Sequence, residues 1–331
     1  MKLSAFAIVA SLVVALGLLV GPIFLSDYGR YILSMWIVMS IAAIGLNLTL
    51  GYAGQVSLAQ GAFMGVGAYV SALMTIHGWP LPVAMLTSAL VCLVLGWMLG
   101  YPALRVQHHY LAFVTLAFAS LAFLIFRNEE WITGGVDGLA NIPRPYFLWM
   151  ATDGSLAFYY YCLGVLGLIA LGYYGLVRSP WGRAFLALRE NPVRAMSLGI
   201  DTRRYILVAF AIGSALGGVA GSLFAPLVQF VEPPAFAVDL SLKLLLMVIV
   251  GGSGFYFGPF LGALIAVLLP EWLRFTQGYY LMLYAFFVML LLVISPSGIL
   301  GIADKWITDR KTRVASAARA ATASAFEETK Q

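Results

Sequence analysis

The chain is built of long apolar blocks separated by short polar ones. The blocks run over 5–25, 31–50, 54–76, 81–103, 109–126, 156–177, 205–230, 240–273 and 279–302. From Tyr31 to Leu104 there is no Asp, Glu, Lys or Arg. One crossing of the hydrocarbon takes roughly 20 residues as a helix, so that stretch alone is long enough for about three. Backbone amides in lipid must bond within their own segment, which leaves helices as the reading for such blocks. The pattern predicts an all-α fold, a polytopic transmembrane helical bundle of about 8–10 spans. The block 240–273 is too long for one crossing and is broken by Gly251-Gly252-Ser253-Gly254 and Gly258-Pro259. Two short spans split at 252–258 are predicted there, with a broken or re-entrant helix as the alternative. The stretch Gly51–Gln60 is the most polar of the crossings.

Composition sharpens this picture. Hydrophobic residues make up 62% and charged residues 10%, against about 25% charged in a soluble domain. Lipid must therefore cover much of the chain. Cationic side chains in short loops set orientation. The loop 178–204 carries Arg178, Arg183, Arg189, Arg194, Arg203 and Arg204 against Glu190 and Asp201, so it is placed in the cytoplasm. Counting outward puts 127–155 outside and both termini inside, provided that 240–273 crosses twice. The net charge of +5 is the bias of these loops, and no basic patch interleaved with aromatics points to nucleic acid. The block 5–25 reads as a retained first span, and 303–331 as a polar cytoplasmic tail behind a membrane domain of 1–302. Cys92 and Cys162 lie in apolar segments and read as packing residues.

Several functions are excluded by what the sequence lacks. It has no P-loop, no Gly-x-Ser-x-Gly elbow, and its histidines, His77, His108 and His109, have no metal-ligand spacing. Charged residues are nearly absent from the spans, Lys243 and Glu271 lying near candidate ends. A proton-driven transporter is expected to carry a mid-span titratable group, so an external energy source is implied. No catalytic residue or metal site is assigned.

Five segments carry candidate chemistry. Ser179-Pro180 and Asn191-Pro192 are helix starts, a capping residue followed by proline at the first helical position, and Gly199 suits a C-terminal cap. Two short surface helices are predicted, with Ala184, Ala187 and Ala195 small enough for close docking and Arg189, Glu190 and Arg194 free to pair with a partner. Asn47, Gln55, Ser57 and Gln60 are polar groups at membrane depth, either interhelical glue or a pathway lining. Thr133-Gly134-Gly135-Val136-Asp137-Gly138 is a turn that Asp137 can hold by accepting backbone hydrogen bonds. Gly213, Gly217 and Gly221 form a bare helical stripe for close packing. The glycines of 251–262 suit a hinge or exposed backbone.

These segments carry a resemblance. Trp181-Gly182-Arg183-Ala184-Phe185-Leu186-Ala187-Leu188-Arg189-Glu190-Asn191 with Ala195 and Gly199 resembles the coupling loop of LivM-type permeases, membrane subunits of branched-chain amino-acid ABC importers. The run from Gly45 to Phe63 is similar to that family's N-terminal hallmark, and Thr133–Leu139 to its Thr-Gly-Gly-Thr-Asp-Gly-Leu signature, with Val136 in place of Thr. The resemblance implies a non-catalytic permease in a bacterial inner membrane. It implies a sister permease, two cytoplasmic ATPase subunits that bind ATP and Mg, and a periplasmic substrate-binding protein. Arg183 to Gly199 would dock on the ATPases. Related permeases for urea, short amides or carboxylates are the alternative within the class, and a self-sufficient secondary transporter is the alternative outside it.

Overall fold

The computed structural model describes residues 16–103, 110–144 and 154–273, with short pieces between 146 and 151 and between 279 and 302. Helix α1 (Asp27–Leu46) starts at a Ser26 cap and passes without a break into a π-helical turn, Asn47–Tyr52. Then follow α2 (Gln60–Ile76), α3 (Leu81–Ala103), α4 (Tyr110–Asn128) and α5 (Ser155–Arg178). Two short helices, α6 (Pro180–Glu190) and α7 (Pro192–Ser197), lead to α8 (Thr202–Val228). Helices α9 (Val238–Gly251) and α10 (Gly258–Trp272) follow. Two small antiparallel pairings complete the fold, Leu139–Ala140 with Phe230–Val231 and Tyr146–Phe147 with Met150–Ala151. Among the described residues, six helices are long and apolar enough to cross a membrane, so the fold is an all-α polytopic bundle.

The blocks 31–50, 81–103, 109–126, 156–177 and 205–230 each coincide with a long helix. Only the second half of 5–25 is described, and it is helical over 16–24. The expectations for 279–302 lie mostly outside the described residues, and those for the tail 303–331 wholly so. The block 54–76 needs correction, because its helix starts only at Gln60 and 53–59 are irregular. Protein groups take up several of the bonds that this break frees. Gln55 N–H gives to Thr49 O at 2.9 Å, Leu58 N–H to Thr115 Oγ1 at 3.0 Å and Gly61 N–H to Ser241 Oγ at 2.9 Å. The block 240–273 divides where the glycines predict, into helices of 14 and 15 residues. These pack against each other as a hairpin, each roughly 21–23 Å long against a hydrocarbon core of about 30 Å.

Helix α8 is the hub, packed on α3, α2 and α1. It and α1 are mostly buried, whereas α3, α4 and α5 leave most of their apolar surface uncovered, which suits helices bordered by lipid. The hydroxyls of Ser40, Thr49 and Ser214 return to carbonyls four residues back in their own helices, so they enter the core without an unmet bond. Cys92 and Cys162 are buried and free; Cys92 Sγ gives to Phe63 O at 3.3 Å.

Candidate functional site

Both cap signals of the arginine-rich loop form. Ser179 Oγ accepts from Trp181 N–H at 3.1 Å, and Asn191 Oδ1 from Arg194 N–H at 3.0 Å. Gly199, at φ +82°, ends the second helix, and Ile200 N–H returns to Ala195 O. The faces differ from expectation. Ala184 and Ala195 point into this chain's own core, Ala195 sealing a cluster with Leu188 and Ile206, and Ala187 packs beside it. They dock α6 and α7 onto α8 rather than onto a partner. The outer face is apolar instead, with Val193 69% and Leu198 79% exposed, joined by Trp181, Leu186 and Met196. Arg183, Glu190 and Arg194 are exposed around it and form no ion pair among the described residues.

Arg189, also exposed, turns its guanidinium back onto the chain. Its Nη1 gives to Gly51 O at 2.6 Å and reaches Ser253 O at 3.4 Å. One guanidinium thus ties the end of α6 to the π-helical turn after α1 and to the tip of the α9–α10 hairpin. Glycine makes room for it: a Cβ at Gly54 would lie 3.2 Å from Arg189 Cα, and one at Gly254 would meet Nη1. Asn47 locks the same two elements. It is fully buried, gives to Tyr173 Oη at 2.8 Å and Phe255 O at 3.0 Å, and accepts from Gly254 N–H at 2.9 Å. Tyr173 stacks on Tyr256, centroids 5.2 Å apart. Burial holds the Tyr256 phenol above its ordinary pKa, so it stays a donor, and it gives to Ala170 O at 2.8 Å. The junction therefore joins α1, α5, α6 and the hairpin tip through bonds that a movement of α6 must strain.

The remaining candidates fall elsewhere. Gln60 is buried and bridges helices, Nε2 giving to Ala42 O at 3.0 Å and Gly213 O at 3.1 Å. Gln55 and Ser57 are buried in the irregular segment, Ser57 Oγ accepting from Ala59 N–H. In the Thr133 turn, Thr133 does the work expected of Asp137. Its hydroxyl lies 2.7 Å from Glu129 O and 2.8 Å from Phe126 O and accepts from Gly135 N–H, while Asp137 is exposed. Gly134, Gly135 and Gly138 all take positive φ there. The stripe faces two helices: Gly213 meets Gly45 and Thr49 of the α1 segment, and Gly217 and Gly221 meet Phe63, Met64 and Ala68 of α2. Among the described residues no three His, Cys, Asp or Glu side chains converge on a metal-sized site.

Residues 30–295 match a family model described as the permease component of branched-chain amino acid transport systems. The chain belongs to that family. The LivM permease protein of the high-affinity branched-chain amino acid system of Escherichia coli K12 is 33% identical over 297 residues, covering 81% of this chain and 69% of that protein. The LivM protein of Salmonella typhimurium LT2 is 33% identical over 307 residues, covering 84% and 71%. The autoinducer 2 import system permease protein LsrC of an Enterobacter species is 27% identical over 252 residues, covering 71% of each. No solved structure matches significantly. The chain is thus a LivM-type ABC permease and a multi-pass membrane protein, and its relatives are transport subunits without catalytic chemistry of their own.

Two structural features of this permease lie beyond what its sequence displayed. The Arg189–Gly51 bond joins positions 138 residues apart, and a cluster of Asp27, Arg30 and Ser155 sits at the far end of the bundle. The only sequence signal for the first was glycine at 51, 54 and 254; for the second, a lone Asp-x-x-Arg at a helix start. Asn47→Leu keeps the volume and deletes three bonds. It is expected to destabilise the permease by about 2–4 kcal/mol, read as a lower melting temperature in detergent, with Asn47→Asp recovering only the acceptor bond.

Proposed function

We propose that this chain is one of two transmembrane subunits of an ATP-driven importer for leucine, isoleucine and valine in a bacterial inner membrane. In this reading residues 1–302 form the membrane domain, and both termini and the tail 303–331 are cytoplasmic. A sister permease completes the pathway as a heterodimer. Two ATPase subunits bind ATP and Mg and dock on α6–α7, and a periplasmic binding protein delivers substrate. The observation that carries the reading is the Arg189 junction. An element with an exposed apolar face is bonded on its inner side to the break in α1 and the hairpin tip, so closure of the ATPases is transmitted to both and alternates access across the bundle. Substrate leucine, rather than urea, a short amide or another carboxylate, is supported by the two LivM relatives.

Uptake by proteoliposomes tests this. The chain is reconstituted with sister permease, ATPases and binding protein, ATP inside, and labelled leucine, isoleucine, valine or urea outside. Leucine uptake that needs both ATP and the binding protein is expected. Uptake of urea alone overturns the substrate, and uptake by this chain alone overturns the class. The docking face has its own test. Val193→Asp with Leu198→Asp places two charges where apolar burial contributes roughly 1.5–3 kcal/mol per side chain. Recovery of the ATPases with the purified permease is expected to fall more than tenfold, with membrane insertion unchanged.

A further inference from the structure

The sequence pattern put Lys243 near the end of a span, whereas the structure puts it in the middle of one. A short helical turn, Pro233–Phe236, leads into α9, so the apolar segment that holds Lys243 is Pro233–Gly251, of 19 residues. Packing gives the same depth independently. Two residues before Lys243, Ser241 Oγ accepts from Gly61 N–H at 2.9 Å. The adjacent Gln60 gives to Ala42 O and Gly213 O. Those carbonyls lie near the centres of the 26-residue segment Asp27–Tyr52 and of the 27-residue α8. Two residues advance a helix by only about 3 Å, so Lys243 stays in the central part of the bundle. Ser241, Leu244, Met247 and Val248 turn inward and are buried, whereas Asp239, Leu242 and Lys243 are exposed on the other face of α9. Neither charge on that face forms an ion pair among the described residues.

A hydrocarbon core of about 30 Å puts its centre roughly 15 Å from either surface. A lysine stem of about 6 Å cannot carry its ammonium that far. A charge held at that depth against lipid is costly, so this face meets water or protein. The backbone nearby has the same need. Residues 53–59, which lead back from the π-helical turn to Gln60, are irregular, with Gly54 and Val56 exposed. Irregular backbone at membrane depth stands only where protein covers it or water lines it. A dry contact over α9 would strip the hydration from two ions of opposite sign, Asp239 and Lys243, and a wet channel would not. Resting on the importer reading above, we propose that the Asp239–Leu242–Lys243 face of α9 lines the aqueous pathway and that Lys243 is a station for the substrate's carboxylate. An α-amino acid must take that carboxylate through the centre of the membrane, where a fixed ammonium offsets part of its desolvation. A neutral amide such as urea needs no such group.

The test uses Leu242→Cys as a reporter in the assembled transporter in nanodiscs; Cys92 and Cys162 are buried and stay silent. Two water-soluble methanethiosulfonates are applied, one carrying a sulfonate and one a trimethylammonium group. Leu90→Cys, exposed on the charge-free α3, is the lipid-facing control. Leu242→Cys is expected to react roughly tenfold faster than Leu90→Cys, since the reactive thiolate forms only where water reaches it. Adding Lys243→Met is expected to lower the ratio of sulfonate to trimethylammonium labelling about threefold, and Lys243→Arg to restore it. In proteoliposomes Lys243→Met is expected to cut leucine uptake about fivefold, with Lys243→Arg keeping most of it. Equal labelling rates at 242 and 90 overturn the pathway face. A labelling ratio that Lys243→Met leaves unmoved, or unchanged uptake in that variant, overturns the carboxylate station. So does leucine uptake driven by a proton gradient without ATP, which would make Lys243 a relay. Charge-dependent labelling at 242 in a complex that shows no ATP-driven leucine uptake would sustain the wet, cationic face and sink the importer reading.

Discussion

Arg189→Met is expected to cut leucine uptake at least tenfold while the partner ATPases continue to hydrolyse ATP. Methionine keeps the unbranched stem beside Gly54 and removes the donor. What is lost is a charge-assisted bond of 2.6 Å to Gly51 O and its weaker companion to Ser253 O. Bonds of that kind contribute roughly 1.5–3 kcal/mol, and about 1.4 kcal/mol is a factor of ten. Arg189 contacts no substrate in this account, so the proper readout is the ratio of ATP hydrolysed to leucine moved. That ratio should rise in Arg189→Met and recover in part in Arg189→Lys, which keeps one donor and the charge. A simple folding defect would lower hydrolysis and uptake together. An unchanged ratio would show that motion of α6 reaches the bundle by another route.

Gly221→Val is expected to do the most structural damage of any single change in the glycine stripe. A Cβ at Gly221 would collide with Met64 O and come within 2.7 Å of Ala68 N, both backbone atoms of α2. No rotamer can move a backbone carbonyl aside, so α8 and α2 must separate. Overpacking of this kind costs about 1–3 kcal/mol or more. The separation also weakens the neighbouring bond from Gln60 to Gly213 O. Little folded protein and a sharply lowered melting temperature in detergent are expected. Gly217→Ala should be milder, since the atoms it meets are side-chain atoms of Phe63 and Gln60 at 3.0 and 3.1 Å. Gly164→Ala, with nothing within 4 Å, should be neutral. Equal losses at 221 and 164 would show that glycine content, rather than close helix approach, sets stability.

Much of the frame was legible in the residues. Charge-free blocks marked the long helices, because an unpaired charge in hydrocarbon is too costly to place casually. Ser179-Pro180, Asn191-Pro192 and Gly199 marked α6 and α7, since capping is local chemistry between residues two or three apart. The glycines of 251–258 marked the hairpin break for the same reason. The motifs of 45–63, 133–139 and 181–205 together pointed to the family.

The facing of side chains was not legible. In water, apolar periodicity identifies the buried side of a helix. In a bilayer, lipid tails are as apolar as leucine, so the periodicity that separates core from surface is largely lost. Hence Ala184 and Ala195 read as partner-facing when they seal the chain's own core, and Val193 and Leu198 passed unnoticed as the exposed face. Asn47 and Gln60 showed only that polar groups needed partners at depth. Tertiary structure decided that backbone carbonyls, a tyrosine hydroxyl and a glycine amide supply them. It alone brought Arg189 to Gly51 and Asp27 to Ser155, because pairs more than a hundred residues apart leave no local pattern. The sequence by itself determined where the long apolar helices lie and where the block 240–273 breaks. Folding decided which of their polar groups hold helices together and which meet at the Arg189 junction.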